Sequence, residues 1–146
     1  MDIFIRPACL KDIHILFKWV NSNDSIKFKI QTNKKISFVD HEEWFEERLI
    51  DKNTFIWIIE DNNIPIGQIR FQYSKHDFYE VDIFIIKKYR KLGVASLALN
   101  KAEKVSKFKP LRAIVKNNNQ KSHAFFLKNG FCLNSTNKDY VSLVKV

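Results

Sequence analysis

Glycine occurs only three times in the 146 residues of this chain, at Gly67, Gly93 and Gly130. A chain so poor in glycine is expected to use it where the backbone needs positive φ or a close approach to another group. Gly130 follows a predicted helix and fits the left-handed residue that usually ends one. Gly93 stands just inside another predicted helix, where glycine costs about 1 kcal/mol relative to alanine. Close approach of a ligand to the backbone would offset that cost.

Hydrophobic periodicity divides the chain into strands and helices. Short alternating apolar runs predict strands, and apolar residues at helical spacing predict helices. The predicted strands cover residues 2–6, 55–60, 65–74, 79–86, 111–116, 131–133 and 140–146. The helices are predicted to begin near Ile13, at the S-x-x-D pattern of Ser37 and Asp40, at Gly93 and at Asn119. Residues 21–24 are predicted to form a turn, and a lysine-rich surface loop follows it.

The order of these elements is β-α-α-β-β-β-α-β-α-β-β, which predicts an α+β domain around a mostly antiparallel sheet. The length indicates a single domain, residues 1–146, because a chain of this size buries roughly 68–70% of its unfolded surface. No apolar run approaches the ~18 residues of a membrane span, and Asp2 stands where a signal peptide needs positive charge. Cys9 and Cys132 form no metal-binding or disulfide pattern. We therefore expect a cytoplasmic protein without a metal site.

Positive charge is in excess, since 25 Lys and Arg against 16 Asp and Glu give a net charge of +9. This balance favours an anionic partner, such as nucleic acid, a phosphorylated ligand or an acidic membrane surface. Lys, Asn, Ile and Phe are all abundant, as AT-rich coding also produces, so charge alone decides nothing. No helix-turn-helix pattern, RNP-type aromatic signature or zinc spacing supports a nucleic-acid-binding module.

Residues 80–95 run from a strand through a basic loop to a helix start, an arrangement that can bind an anion. Unpaired N–H groups point outward at a helix N-terminus, and the helix dipole adds partial positive charge. The loop contributes the charges of Lys87, Lys88, Arg90 and Lys91. It contains neither the GxxxxGK[ST] of a Walker loop nor the GxGxxG of a Rossmann fold. A helix N-cap beside a solvated basic loop explains the same residues equally well.

Two motifs make the chain resemble the GCN5-related N-acetyltransferase (GNAT) superfamily. The family's acyl-CoA signature, R/Q-x-x-G-x-G/A after a strand, is matched by Arg90, Gly93 and Ala95. Its second signature, N-x-x-S and then G-F on the last helix, is matched by Asn119, Ser122, Gly130 and Phe131. Residues 5–8 and 65–69 also look like the family. One such motif is a weak signal, but two in the right order make a strong resemblance over nearly the whole chain.

The resemblance implies a twisted, mixed but mostly antiparallel sheet of about seven strands with about four helices. Two neighbouring strands, residues 80–86 and 111–116, would splay apart and hold acetyl-CoA as the acyl donor. Backbone amides of residues 91–96 would hold its pyrophosphate, and residues 84–86 its pantetheine arm and thioester. The implied cofactor contacts are Phe84, Ile85, Ile86, Arg90, Lys91, Leu92, Gly93, Val94, Ala95, Ser96, Asn119, Ser122 and Phe126.

The resemblance also implies that an amine attacks the thioester directly, so the amine must lose a proton. Glu80 and Asp82 share one face of a regular strand, at the level where the family often places its base. A strand bulge would re-aim either carboxylate, and exposure to solvent or pairing with lysine is the competing explanation for both. Phe126 occupies the position of the family's acidic tyrosine and has no proton to donate, so Tyr89 and Tyr140 remain as candidates.

The region around the first two helices resembles one subgroup of the family, which acetylates nucleotide-linked 4-amino-4,6-dideoxy sugars in pseudaminic acid biosynthesis. That resemblance implies acceptor contacts by Trp19, Asn21, His41 and Trp44, although Val20 replaces the subgroup's usual arginine. A histidine on an apolar helix face is more often a core residue with satisfied hydrogen bonds, which is the competing explanation for His41.

The sequence therefore predicts an acetyl-CoA-dependent N-acetyltransferase whose acceptor is a primary amine on an anionic, nucleotide-linked amino sugar. The basic balance argues against a cationic acceptor such as a polyamine. Acetylation of a protein N-terminus, as in the ribosomal-protein acetyltransferases, or of a small amine is the alternative within this chemistry. A non-catalytic acyl-CoA sensor and a nucleic-acid-binding module are the alternatives from other classes. A monomer and a homodimer are both compatible with the sequence.

Overall fold

Seven strands form one sheet in the computed structural model, which describes residues 1–22 and 34–146. The strands are β1 (Ile3–Pro7), β2 (Thr54–Asp61), β3 (Ile64–Tyr73), β4 (Tyr79–Ile85), β5 (Leu111–Lys116), β6 (Cys132–Thr136) and β7 (Tyr140–Lys145). Their order across the sheet is β1-β2-β3-β4-β5-β7-β6. Only β4 and β5 pair in parallel, and all other neighbours are antiparallel. The predicted α+β fold with a mostly antiparallel mixed sheet is confirmed.

Four α-helices lie within the described residues: α1 (Ile13–Val20), α2 (Phe38–Ile50), α3 (Val94–Ser106) and α4 (Gln120–Lys128). Ser37 begins α2 as predicted, because its side chain accepts a hydrogen bond from the backbone N–H of Asp40 at 3.2 Å. Gly130 follows α4 with a φ of +92°, the predicted left-handed residue. Half of the turn predicted at residues 21–24, and most of the loop after it, lie outside the described residues.

The helices cover the two faces of the sheet in pairs, and each pair encloses its own core. On one side α1 and α2 enclose a cluster that includes Leu16, Phe45 and Ile58. On the other side Leu99 of α3 and Phe126 of α4 pack in a larger cluster with the sheet. We call the side covered by α1 and α2 the front face and the side covered by α3 and α4 the back face. A ligand between β4 and β5 can therefore be approached from the front face and from the back face.

The last hairpin is where the predicted strands differ most from the structure. A strand was expected at residues 131–133, whereas β6 covers Cys132–Thr136 and all five of its residues are exposed. Because β6 is an edge strand that buries neither face, its sequence lacks the apolar alternation from which strands are recognised.

Gly67 lies on β3 where the backbone of β4 approaches most closely. A Cβ atom at this position would lie 2.2 Å from the carbonyl oxygen of Phe84. Real Cβ atoms do not come so near to a backbone oxygen, so any larger residue must push β4 away. Gly67 therefore sets the spacing of β3 and β4 at the C-terminal end of β4, opposite Ile85.

We expect Gly67→Ala to lower the free energy of unfolding by about 1–3 kcal/mol, the usual cost of overpacking a well-packed site. Urea unfolding followed by circular dichroism measures the change, and an unchanged slope would show that both states keep their compactness. A variant as stable as the parent protein would show that β4 yields without cost, against the tight approach described above.

Candidate active site

A gap opens between β4 and β5 immediately after the two strands have met. They are paired only through Tyr79 with Leu111 and Glu80 with Arg112. The remainder of β4 stays paired with β3, and the remainder of β5 with β7. The two strands thus diverge toward their C-terminal ends, and the predicted splaying is confirmed.

Alternate residues of β4 direct their backbone polar groups into this gap. The N–H of Tyr79 donates to the carbonyl of Pro110 on the β5 side at 2.9 Å, whereas the N–H of Ile86 donates to Ile66 on the β3 side at 2.9 Å. Because this direction alternates along a strand, the groups of alternate residues from Tyr79 onward face β5. Beyond the last strand pair these residues are Val81, Ile83 and Ile85.

The expectation that the backbones of Phe84, Ile85 and Ile86 hold the arm of the cofactor stays a prediction, and the strand geometry favours Ile85. The carbonyl of Phe84 faces β3, where it crowds Gly67, and the N–H of Ile86 is bonded to β3. Only Ile85 of these three presents its backbone to the gap. The direction of each peptide group depends on the register between strands, which the sequence alone does not reveal.

A loop of residues 86–93 joins β4 to α3 and turns sharply at its end. Lys91 and Gly93 have φ values of +63° and +79°. The sequence predicted Gly93 just inside the helix, but Gly93 is the N-cap of α3. No side chain caps the helix there. A Cβ atom on Gly93 would meet nothing within 4 Å. The first N–H groups of α3 lack partners within the helix. They therefore lie next to open space at Gly93.

Arg90 connects this loop to the end of β4. Its Nε donates to the carbonyl of Ile85 at 2.8 Å, and its guanidinium lies 5.6 Å from the ring centre of Phe84. The side chain of this motif residue thus shapes the loop, while Lys87, Lys88 and Lys91 are exposed around it. These cations and the N-terminus of α3 together make the loop electropositive, as anion binding requires.

Tyr89 anchors the same loop on its other side. Its hydroxyl donates to Asp61 at 2.6 Å, which raises the pKa of Tyr89. The backbone N–H of Asp2 also donates to Asp61 at 2.8 Å, and it is this bond, followed by that from Tyr89, that lowers the pKa of Asp61. A phenol held in this way is a poor proton donor to a ligand, so Tyr89 is the weaker of the two candidate acids.

The start of α4 borders the gap beyond β5. The side chain of Asn119 is the N-cap of α4 and accepts a hydrogen bond from the N–H of Ser122 at 3.2 Å. Asn129, which the sequence analysis did not single out, donates to the hydroxyl of Ser96 at 3.1 Å and so connects the end of α4 to the first turn of α3. Phe126 is buried and packs edge-on against Phe131, with ring centres 5.0 Å apart.

The two carboxylates project from β4 on the front face. The register of β3 and β4 is regular throughout, so no bulge re-aims them, and Phe84 on the same side of the strand packs in the front cluster. Glu80 forms an ion pair with Arg112, directly across the last pairing of β4 and β5. Asp82 is exposed and lies further along β4, beside the open part of the gap.

Gln68, a residue that the sequence did not indicate, holds Asp82 in place. Its side-chain amide donates to Asp82 at 2.7 Å. Only 9% of Gln68 is exposed, so the amide is fixed by its surroundings while the carboxylate remains accessible. The arrangement gives one oriented carboxylate beside the gap and one, Glu80, that is engaged by a cation.

The residues expected to contact the acceptor occupy different environments. Trp19 and His41 are buried, with 6% and 3% exposed. His41 donates through Nε2 to the carbonyl of Ile13 at 3.2 Å, which supports the core explanation for it. The amide of Asn21 bonds to both backbone groups of Ile36, at 2.7 and 2.9 Å. Of the four residues only Trp44 is exposed, at 37%.

Within residues 1–22 and 34–146, no three His, Cys, Asp or Glu side chains gather as metal ligands would. No helix within those ranges has the length and apolar character needed to span a bilayer.

The comparison with family models decides the assignment of the chain. The model described as the acetyltransferase (GNAT) family matches residues 16–131. The chain belongs to the GNAT acetyltransferase family. The splayed strands and the glycine at the start of α3 are thus features of a GNAT domain, and the protein is an acyltransferase. A comparison with curated proteins found no significant match.

Solved structures similar to this GNAT domain share its fold at low sequence identity. Spermidine N-acetyltransferase from Vibrio cholerae, in complex with CoA and spermine, is 18% identical with a TM-score of 0.84, over 98% of this chain and 94% of that one. An acetyltransferase from Thermus thermophilus is 16% identical with a TM-score of 0.84, over 99% and 97%. AAC(6')-Ib with paromomycin and acetyl-CoA is 15% identical with a TM-score of 0.81, over 100% and 94%. At such identities the likeness shows the fold alone.

Proposed function

We propose that this GNAT domain transfers the acetyl group of acetyl-CoA to a primary amine in a ternary complex. The observation that carries the proposal is the gap between β4 and β5, which leads directly to the open N-terminus of α3. Backbone groups along Val81, Ile83 and Ile85 suit an amide-containing arm, and the basic loop suits a pyrophosphate. CoA in the Vibrio cholerae structure and acetyl-CoA in the AAC(6')-Ib structure are consistent with this donor.

The cofactor contacts that we propose follow the implied set, narrowed on β4 to Ile85. Residues 91–96 hold the pyrophosphate through their backbone amides, Ile85 holds the arm, and Asn119 with Ser122 borders it from α4. Arg90 and Phe126 act indirectly, because Arg90 is bonded to β4 and Phe126 is packed in the core.

Asp82 is the proton acceptor that we propose for the amine. The amine nitrogen bonds to the acetyl carbon as the bond from that carbon to sulfur breaks, and the amine proton passes to Asp82 directly or through one water. Gln68 orients the carboxylate for this step. The sulfur leaves as a thiolate, whose pKa of about 8.5 by analogy with cysteine makes a separate acid helpful but not essential. Glu80 serves mainly to hold β4 and β5 together through Arg112.

For the acceptor we propose a nucleotide-linked or otherwise anionic amino sugar. Arg70 and Arg112 lie on the front face beside Asp82 and Glu80, and Arg70 lies 5.0 Å from the ring centre of the exposed Trp44. The tryptophan ring can stack on a sugar or base, and the guanidinium beside it can attract a phosphate. The resemblance to the pseudaminic acid subgroup supports this acceptor through Trp44 alone, since Trp19 and His41 are buried.

A small cationic amine is the second candidate acceptor, because α2 on the front side is rich in carboxylates. This helix carries Asp40, Glu42, Glu43, Glu46 and Glu47 against the single cation Arg48. The spermine and paromomycin of the solved structures are ligands of that charge. The two candidate acceptors differ in the sign of their charge and are therefore separable by experiment.

Release of the CoA thiol from acetyl-CoA, measured with a thiol reagent, tests the proposal. We expect release only when an amine is added, and faster release with a UDP-linked amino sugar than with spermidine or a peptide N-terminus. Release with the peptide but not with the sugars would refute the acceptor assignment. If no amine leads to thiol release although acetyl-CoA still binds, the protein is a sensor and the transferase is refuted.

A further inference from the structure

A cleft of about 470 Å³ opens on the surface at the C-terminal end of β5, beside the gap. It lies where the connection from β5 to α4 meets the turn between β6 and β7. Of the site residues considered from the sequence, only Tyr140, a candidate acid, lines it. The lining residues are Lys116, Asn117, Asn118, Lys138, Asp139 and Tyr140.

Hydrogen bonds hold the two walls of this cleft against each other. The side-chain amide of Asn117 donates to the carbonyls of Asn137 at 3.2 Å and Lys138 at 2.9 Å, and its backbone N–H donates to Asp139 at 3.0 Å. Within the turn, the side-chain oxygen of Asn137 accepts from the N–H groups of Asp139 and Tyr140 at 2.8 and 2.9 Å. The cleft is therefore formed before any ligand binds.

The cleft is on the front face, the same side as Asp82. Leu111, Ala113 and Val115 of β5 pack in the back cluster, so the intervening side chains point to the front. Lys116 is one of these, and its partner in the register of β5 and β7 is Tyr140. The same alternation places Arg112 beside Glu80. An acceptor that approaches Asp82 from the front meets the cleft on the β5 side of the gap.

The strand geometry gives a lower limit for the distance between the two sites. Asp82 is two residues beyond Glu80, and Lys116 is four residues beyond Arg112, its partner. At about 3.3 Å per residue and at least ~4.8 Å between strands, the backbone at Lys116 is at least ~8 Å from that at Asp82. A sugar ring between an amine and a phosphate spans a distance of this order.

The chemistry of the lining suits a phosphate with a neighbouring polar ring. Lys116 and Lys138 supply two cations against the single carboxylate of Asp139, and lysine binds phosphate as a point charge.

We propose that this cleft binds the anionic group of the acceptor, which makes a phosphorylated amino sugar the substrate class. The inference rests on the proposed function, because it takes Asp82 as the place of the amine. It adds a second recognition point, formed by Lys116, Lys138 and Tyr140, that decides between the anionic and the cationic acceptor. Phosphate esters and nucleotide diphosphates share the chemistry required.

Two matched acceptors, glucosamine 6-phosphate and glucosamine, test this site in the thiol-release assay. We expect the phosphate to raise kcat/KM by about tenfold or more, a factor that corresponds to about 1.4 kcal/mol. The double variant Lys116→Gln, Lys138→Gln should lose most of this preference and retain its rate with glucosamine. Lys104→Gln, which removes an exposed charge from α3, is the control and should retain the preference. A UDP-linked amino sugar distinguishes a nucleotide diphosphate from a terminal phosphate.

Equal rates with both sugars, or an equal loss in the Lys104→Gln control, would overturn the proposal. So would a double variant that loses affinity for acetyl-CoA, because the cleft would then belong to the cofactor. If no amine is acetylated, the proposed function fails by itself. Calorimetric titration with glucosamine 6-phosphate then tests the cleft separately. Binding that the double variant abolishes supports the anion site in the cleft, and absence of binding refutes that site.

Discussion

Replacing Asp82 by asparagine should lower kcat by about 10²–10⁴-fold while the affinity for acetyl-CoA stays unchanged. This is the usual contribution of a positioned general base. The substitution preserves the shape of the side chain, and Gln68 can still donate to its oxygen. The loss therefore reports the missing proton acceptor and not a rearranged strand. Steady-state kinetics give kcat, and calorimetry gives the dissociation constant of acetyl-CoA.

Glu80→Gln is the matched control, since it removes a carboxylate two residues away on the same strand face. We expect a smaller effect on kcat, because Glu80 is paired with Arg112, together with some loss of stability at the junction of β4 and β5. A fall in kcat for Glu80→Gln with full activity of Asp82→Asn would exchange the roles of the two residues. Full activity of both variants and of their combination would exclude carboxylate catalysis.

A second large effect is expected at Gly93, whose φ of +79° an alanine adopts at a cost of about 1–2 kcal/mol. Alanine at this position should weaken acetyl-CoA binding by about tenfold to a hundredfold. That range corresponds to losing one hydrogen bond to a charged group, worth about 1.5–3 kcal/mol. The reason is that a relaxed φ turns the first N–H groups of α3 away from the pyrophosphate, and the new methyl group points into the open space beside them.

Gly130→Ala provides the control for this strain, because Gly130 also has a positive φ and its nearest neighbour is the flexible side chain of Lys145. In urea unfolding, the free energy of unfolding should fall by a similar amount in both variants. Only Gly93→Ala should lose affinity for acetyl-CoA. Equal affinities of both variants and the parent would indicate that the N-terminus of α3 is a plain helix start beside a solvated loop.

The order of the elements could be predicted from the sequence because its signals are local. Ser37 at the start of α2 and Gly130 after α4 act within one helical turn, and the strands with one buried face show their alternation directly. The GNAT motifs at Arg90, Gly93 and Ala95 are also local, so they revealed the loop. They did not reveal that Gly93 is the N-cap and that the helix begins one residue later, because element boundaries are uncertain by one or two residues.

The parts of the site that could not be predicted depend on contacts between distant segments. Gln68 reaches Asp82 only because β3 and β4 pair in one particular register, and that register also decides that Ile85 and not Phe84 faces the gap. Trp19 and His41 belong to an aromatic pattern that serves a core and a sugar-stacking wall equally well. Only their burial, which α1 and α2 determine jointly, separates the two explanations.

Thermal unfolding in the presence of acetyl-CoA tests most directly whether the gap between β4 and β5 is an acyl-CoA site. Ligand at about 100 times its dissociation constant adds about 2.7 kcal/mol to the stability of the folded state. For a domain of this size the melting temperature should rise by roughly 5–11 °C. A melting temperature unchanged by acetyl-CoA and by longer acyl-CoAs would contradict both the site and the transferase built on it.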